Sequence, residues 1–271
     1  MSAKAETAKS FHRLHEGPEP LLLPNAWDAG SARLMESLGA KAVATTSAGV
    51  AWTHGYPDGD VLPVRMLVST VVAITRAIRV PLTVDVEGGY SDEPSAVEET
   101  VARVVEAGAV GINIEDGSNT PDLLCLKIER AKRAGDHFGI DLFVNARTDV
   151  YLRGLAPEDK RVTETLSRAR LYRDAGASGL FVPGLREPGE IRAVAAEVGL
   201  PLNVMAWPGL PAAAQLAELG VRRLSAGSGI AQALWGKGAA LGADFLRSGK
   251  SEPLGEGAMP YPAINALFVP R

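Results

Sequence analysis

Three acidic residues, Asp85, Glu87 and Glu115, sit in short runs where polar and apolar side chains alternate. In Leu82-Thr83-Val84-Asp85-Val86-Glu87 the apolar residues take one face of an extended segment, and Thr83, Asp85 and Glu87 take the other. Ile112 and Ile114 alternate in the same way with Asn113 and Glu115, as do Leu142, Val144 and Ala146 with Phe143, Asn145 and Arg147. Carboxylates gathered on one face repel each other and take up protons unless a cation joins them. An all-oxygen donor set without His or Cys favours Mg2+ or Mn2+ over zinc. The competing reading is a hydrogen-bonded polar layer balanced by inward lysines or arginines. Arg147 could serve there, but one arginine does not balance three acids.

Other residues carry weaker signals. Thr45-Thr46-Ser47-Ala48-Gly49 offers hydroxyls and closely spaced N–H groups that could cradle an anion, or it is an ordinary loop of small residues. Asp58 lies in Gly55-Tyr56-Pro57-Asp58-Gly59, whose composition is that of a turn. Asp28 is expected to cap a helix starting at Ala29. The single cysteine, Cys125, falls in an apolar helical run and reads as a small core residue. His12, His15, His54 and His137 have no metal-ligand spacing. Ser225-Ala226-Gly227-Ser228-Gly229 could bind phosphate at a helix N-terminus, or form a tight turn.

The elements that must position these groups alternate regularly. Strands are predicted to begin near Leu21, Ala42, Leu82, Val110, Leu142, Gly179, Leu202 and Arg222. Between them lie helical patterns at Ala29–Leu38, Val64–Ile78, Ser95–Glu106, Leu123–His137, Glu158–Asp174, Glu187–Glu197 and Pro211–Leu219. Eight such units predict an α/β fold, a (β/α)8 TIM-type barrel, whose active site is built at the carboxyl ends of the strands. Gly39-Ala40, Gly108-Ala109, Gly176-Ala177 and Gly220-Val221 recur between helix and strand, where a glycine ends the helix in a left-handed conformation. We expect one domain over 1–271, with an N-terminal segment at 1–18 and a C-terminal extension at 240–271 placed at a subunit interface.

With 28 Lys plus Arg against 32 Asp plus Glu, the chain carries a net charge of −4, so no basic surplus points to nucleic acid. One cysteine gives no internal disulfide. The first twenty residues carry Lys4, Glu6, Lys9 and Arg13 rather than an apolar core, and 198–217 holds three prolines. Neither segment reads as a signal peptide or a membrane span. A cytoplasmic location with no membrane partner is expected.

The pattern resembles the isocitrate lyase/phosphoenolpyruvate mutase superfamily from Asn25-Ala26-Trp27-Asp28 to Ser225-Ala226-Gly227. It is most specific at Asp85-Val86-Glu87-Gly88-Gly89-Tyr90, Ile114-Glu115-Asp116 and Asn145-Ala146-Arg147-Thr148-Asp149. The resemblance implies Mg2+-dependent making or breaking of C–C or C–P bonds in small 2-oxo or 2-hydroxy carboxylates, through an enolate. It assigns Asp85, Glu87 and Glu115 to the metal (or Mn2+ in its place), partly through water. Thr46, Ser47 and Ala48 match the segment that holds the substrate carboxylate. Arg147 matches the arginine on the oxo or enolate oxygen, and Asp58 an acid near the reacting centre. Asp85, Asn113 and Asn203 are counted with the substrate contacts. A homo-oligomer, dimer or tetramer, is expected.

The departures choose among reactions. Lyases of this superfamily carry Lys-Lys/Arg-Cys-Gly-His in the loop after the fourth strand, whereas this chain reads Asp116-Gly117-Ser118-Asn119-Thr120-Pro121-Asp122. Phosphonate-processing members use a lysine with Asn and Ser there, and only Ser118 and Asn119 resemble that. Phe181-Val182-Pro183-Gly184 stands where lyases place a glutamate. The leading expectation is a C–C lyase or hydrolase acting on an oxaloacetate-, malate- or methylisocitrate-like di- or tricarboxylate. A C–P bond enzyme and a catalytically weak oxo-acid-binding protein are the alternatives.

Overall fold

A computed structural model describes residues 2–269. Nine parallel strands form one sheet: β1 (Leu21–Leu23), β2 (Asn25–Ala26), β3 (Val43–Thr45), β4 (Leu82–Asp85), β5 (Gly111–Glu115), β6 (Phe143–Arg147), β7 (Gly179–Phe181), β8 (Leu202–Met205) and β9 (Val221–Ser225). In the sheet, β1 pairs with β9 at one end and β2 with β3 at the other. Only Pro24 separates β1 from β2, and proline lacks the N–H that a continuous strand would donate. The two short strands are therefore halves of a single barrel strand, and the sheet wraps into the expected eight-unit TIM-type barrel.

The helices follow the predicted alternation. They are α1 (Ala3–Arg13), α2 (Ala29–Ser37), α3 (Ser47–Thr53), α4 (Val64–Ala77), α5 (Pro94–Glu106), α6 (Pro121–His137), α7 (Arg161–Asp174), α8 (Pro188–Glu197), α9 (Ala213–Glu218), α10 (Gly229–Ser248), α11 (Glu252–Gly255) and α12 (Tyr261–Ala266). Asp28 caps α2 in a capping box: its side chain accepts from Ser31 N at 2.6 Å, while Ser31 Oγ accepts from Asp28 N at 3.1 Å. Gly39, Gly108, Gly176 and Gly220 all have φ between +93° and +117°, the conformation their place between helix and strand requires. Ile112 and Ile114 are fully buried on the outer face of β5, so truncating Ile114 to alanine costs about 2–5 kcal/mol.

Two elements were not foreseen. The segment after β3 is a short helix, α3, rather than a loop, because the small residues Ser47, Ala48 and Gly49 let it pack closely against Trp27. The N-terminal segment contains α1, whose Phe11 is fully buried and meets Phe143 edge-on at 5.2 Å between ring centroids. His15 stacks on the same ring at 4.2 Å. Burial, with the charge of Arg223, pulls its imidazole down to about 3 and keeps it neutral.

The C-terminal end is the least buried part of the chain. Residue 240, the expected start of an extension, lies inside α10, which runs unbroken from 229 to 248. Of its residues only Ala231 is buried, while Leu234, Trp235, Leu241, Phe245 and Leu246 stand exposed. Among the described residues no helix is long and apolar enough to cross a membrane.

Candidate active site

Register brings the predicted residues to adjacent strand ends. Asp85 is the Cα partner of Asn113, Asn113 of Asn145, and Glu115 of Arg147. Glu115 Oε2 lies 2.6 Å from Arg147 Nη1. The guanidinium is held from its other edge by Asp149, with Nε 2.7 Å from Oδ1 and Nη2 3.0 Å from Oδ2. The Phe181 ring lies 5.9 Å beneath it. Arg147 is thus a planar donor fixed on two sides, at the end of the barrel where charge can develop on a bound molecule.

The carboxylates are held reluctant to ionise. Burial raises the Glu115 carboxyl to about 8, against the opposing pull of Arg147 and with the repulsion of Asp85 and Asp149. Burial also raises Asp85, again opposed first by Arg147, with the Glu87 and Ser47 N–H groups helping to hold its charge. Asp58 lies close enough to raise both Asp85 and Glu87, although it is itself exposed. Thr46 and Ala48 are buried and Ser47 partly so, at the start of α3 beside Asp85.

Glu87 does not belong to the alternating row. β4 ends at Asp85, and Glu87 has φ +52°, so the pleat no longer sets its direction. Its Oε2 accepts from Gly59 N at 2.8 Å and from Asp60 N, and its Oε1 accepts from the Tyr90 hydroxyl at 2.9 Å. Burial raises this carboxyl to about 6. The return contact comes from Asp60, which accepts from Gly88 N at 3.2 Å and Tyr90 N at 2.9 Å. A Cβ on Gly88 would fall 2.8 Å from the Asp60 carboxylate. Lys127, almost fully buried, donates to Gly88 O at 2.7 Å from below. Asp60, Glu87 and Tyr90 are the only non-glycine residues with positive φ among the described residues. Two turns, 58–60 and 87–90, are therefore clasped by crossed carboxylates in a conformation that costs about 1–3 kcal/mol per residue. The clasp holds the turn that carries Asp58 against the barrel mouth.

Asn113 and Asn203 lie deeper. Asn113 Oδ1 accepts from Asn145 Nδ2 at 2.9 Å and from Arg223 Nη2 at 3.1 Å, while Asn203 Oδ1 accepts from Ser225 Oγ at 3.2 Å. Arg223 escaped the sequence reading, which counted one inward arginine. It is 1% exposed, and burial pushes its guanidinium down to about 9, the charge of Asp85 opposing this. The signal was present: in Val221-Arg222-Arg223-Leu224-Ser225 the first, third and fifth residues are buried. The inward charge count is two arginines, not one.

The donor chemistry suits a hydrated Mg2+ better than a closed cage. Among the described residues no three His, Cys, Asp or Glu side chains gather as a metal cage would require. Glu87 is occupied by its clasp and Glu115 by Arg147, whereas Asp85 has only N–H contacts. A cation that keeps most of its waters and takes one or two carboxylates directly matches this set. The loop after β5 offers no acid or base for the reacting centre: Asp116 is buried, Ser118 is exposed, and Asn119 Nδ2 donates to Asp92 at 3.3 Å.

A sequence model of the phosphoenolpyruvate phosphomutase family matches residues 11–245. An uncharacterized protein of Mycobacterium tuberculosis is 41% identical over 224 residues, covering 81% of this chain and 82% of that protein. The 2-methylisocitrate lyase of Aeropyrum pernix is 31% identical over 205 residues, covering 71% of this chain and 63% of that enzyme. A Burkholderia cenocepacia structure provisionally described as a phosphonomutase superposes with a TM-score of 0.83 at 43% identity, covering 87% of this chain and 98% of that one.

Proposed function

The chain belongs to the phosphoenolpyruvate phosphomutase family of lyases and mutases, and from that premise we propose a Mg2+-dependent enzyme that cleaves a C–C bond in a small 2-oxo or 2-hydroxy di- or tricarboxylate. The observation that carries this reading is the pairing of a rigidly held guanidinium, Arg147, with carboxyls raised by burial on the neighbouring strand ends. That combination suits an oxygen that gains negative charge as a carbon–carbon bond breaks.

Asp85 would hold the cation directly, with Glu87 and Glu115 reaching it through water. When bound, Mg2+ would supply Lewis-acid polarisation of the substrate's oxo group and carboxylate. The Ala48 N–H at the start of α3, with the Thr46 and Ser47 hydroxyls, would orient the carboxylate. Arg147 would donate to the oxo oxygen and strengthen that bond as the enolate forms. Asp58, at the rim, would deliver a proton to the enolate carbon left when the C–C bond breaks, a role no residue of the 116–120 loop can fill. An oxaloacetate-, malate- or methylisocitrate-like substrate fits this set. Asp85→Ala should abolish Mg2+-dependent release of a 2-oxo acid product from such a substrate panel. Undiminished turnover in that variant refutes the reading.

The exposed apolar side of α10 supports a homo-oligomer in which the C-terminal elements of one subunit cover a second copy. A twenty-residue helix with Leu234, Trp235, Phe245 and Leu246 in water gains too little from its own barrel to be stable alone.

A further inference from the structure

Behind Arg147 lies a chain of buried hydrogen bonds that reaches the outer helix layer. Asp149, fully buried, takes both Nε and Nη2 of Arg147 and also Nε of Arg153 at 2.8 Å. Its backbone N–H donates to Asp116 Oδ1 at 2.9 Å. Asp116, 1% exposed, accepts on its other oxygen from Tyr172 Oη at 2.6 Å and Arg168 Nη1 at 2.9 Å, both from α7. The backbone N–H of Asp116 donates in turn to Arg147 O at 3.1 Å.

Asp116 therefore fastens together the exits of β5 and β6. One side of it continues from Glu115, and the other holds the backbone of the residue that aligns Arg147. We propose that Asp116 is a positioning residue, anchored by Tyr172 and Arg168, which sets the orientation of the Arg147 guanidinium through Asp149. The inference rests on the reading of Arg147 as the group that faces the oxo acid. Burying Asp116 and Asp149 with Arg147 and Arg168 is a poor source of stability, since packed apolar residues of the same volume often do as well or better. What such a network supplies is direction. Arg147 has a long, rotatable side chain, and a transition-state donor displaced by about 1 Å loses much of its effect. Fixing its Nε and Nη2 edge leaves the outer edge in one place, where Glu115 now meets it.

Two measurements test this, one of them free of any substrate. The first is hydrogen exchange of the Arg147 Nε–H by NMR, its resonance assigned by its loss in Arg147→Lys. Tyr172→Phe and Asp116→Asn are expected to speed that exchange by about tenfold while the melting temperature of Tyr172→Phe stays near that of the wild type. Arg170→Ala, on the exposed side of the same helix, leaves the exchange unchanged. Should Asp116→Asn fail to fold, Tyr172→Phe decides alone. Unchanged Arg147 exchange in the folded variants overturns the proposal. The second is calorimetric titration with oxalate, a planar mimic of an enolate oxo acid, in the presence of Mg2+. The two variants are expected to bind it about tenfold more weakly. If the wild type binds no oxalate although exchange responds, the reading of Arg147 as a substrate group falls and the relay stands. If wild type and variants bind oxalate equally with equal exchange, the relay falls and the functional reading stands.

Discussion

Raising the pH in the absence of a divalent cation should destabilise this protein, and Mg2+ should restore what is lost. Glu115 is raised by burial from the usual 4.5 to about 8. Between those values the unfolded chain has released a proton that the folded chain keeps. The folded state binds more protons, so stability falls as pH rises. The contribution is fully present below about 4.5 and is lost by about 8. At that pH, linkage over this interval corresponds to at most about 4 kcal/mol, and Glu87, raised to about 6, adds in the same direction. About 1 kcal/mol of this is already lost by pH 5.5, so between pH 5.5 and 8 about 3 kcal/mol remains, which in a chain of this size lowers the melting temperature by roughly 6–12 °C. Magnesium competes with those protons, so it binds better where the carboxyls are ionised. At one hundred times its dissociation constant it contributes about 2.7 kcal/mol, or roughly 5–10 °C. The assay is thermal unfolding near pH 5.5 and near pH 8, with and without Mg2+, for the wild type and Asp85→Asn. A larger magnesium effect at the higher pH is expected in the wild type, and almost none in Asp85→Asn. Metal-free stability that climbs from about pH 5.5 to 8, or an equal magnesium effect at both, refutes the reasoning.

Further outcomes concern the clasp, the core arginine and the C-terminal helix. Asp60→Ala should lose roughly 1–2 kcal/mol in urea unfolding, mainly from a left-handed alanine because water reaches the two N–H groups it leaves, while Asp60→Gly recovers about 1 kcal/mol of that. Equal stabilities for the two variants would remove the strain argument. Arg223→Met replaces a buried guanidinium whose Nε and Nη1 have no partner among the described residues, so its stability should be within about 1 kcal/mol of the wild type or higher. A loss above about 3 kcal/mol would mean that those N–H groups are answered by ordered water. Phe245→Asp, on the exposed stretch of α10, should reduce the mass measured by light scattering to that of a smaller assembly, and an unchanged mass would place the interface elsewhere.

The barrel was legible because its signals are local. Strand alternation, capping by Asp28 and the glycines before four of the strands each depend on a few neighbouring residues, and each was read within a residue or two. What escaped depends on long-range context. Proline 24 splits the first strand because the barrel must close there on both neighbours, which no window around it reveals. Glu87 looked like a continuation of the Asp85 row, yet its contacts are to residues 59 and 60, reached through a turn whose conformation propensity disfavours. Arg223 went uncounted because the strand was placed without following its alternation, which sends Val221, Arg223 and Ser225 inward. Asp116 was visible as a motif letter, but its partners on α7, Arg168 and Tyr172, lie more than fifty residues further along.

These contacts change the electrostatic argument for a metal. Three acids against one arginine suggested a cation by count alone. In the fold, Glu115 has Arg147, Asp149 has Arg147 and Arg153, and Asp116 has Arg168. Glu87 is answered by two backbone N–H groups and a hydroxyl. Asp85 is left with neighbouring N–H groups and with Arg147 and Arg223 acting at a distance, although burial raises it. The demand for positive charge is therefore focused on one carboxylate rather than spread over three. One carboxylate cannot strip the waters from Mg2+, so most of its coordination would be left to water and to the incoming oxo acid. An ion held that loosely by protein should bind weakly alone and tightly with an oxo acid present, which makes oxalate and Mg2+ positively coupled ligands. Calorimetric titration of Mg2+ with and without oxalate reads the coupling directly. Equal magnesium affinity in both titrations would place the ion in a cage of protein carboxylates instead.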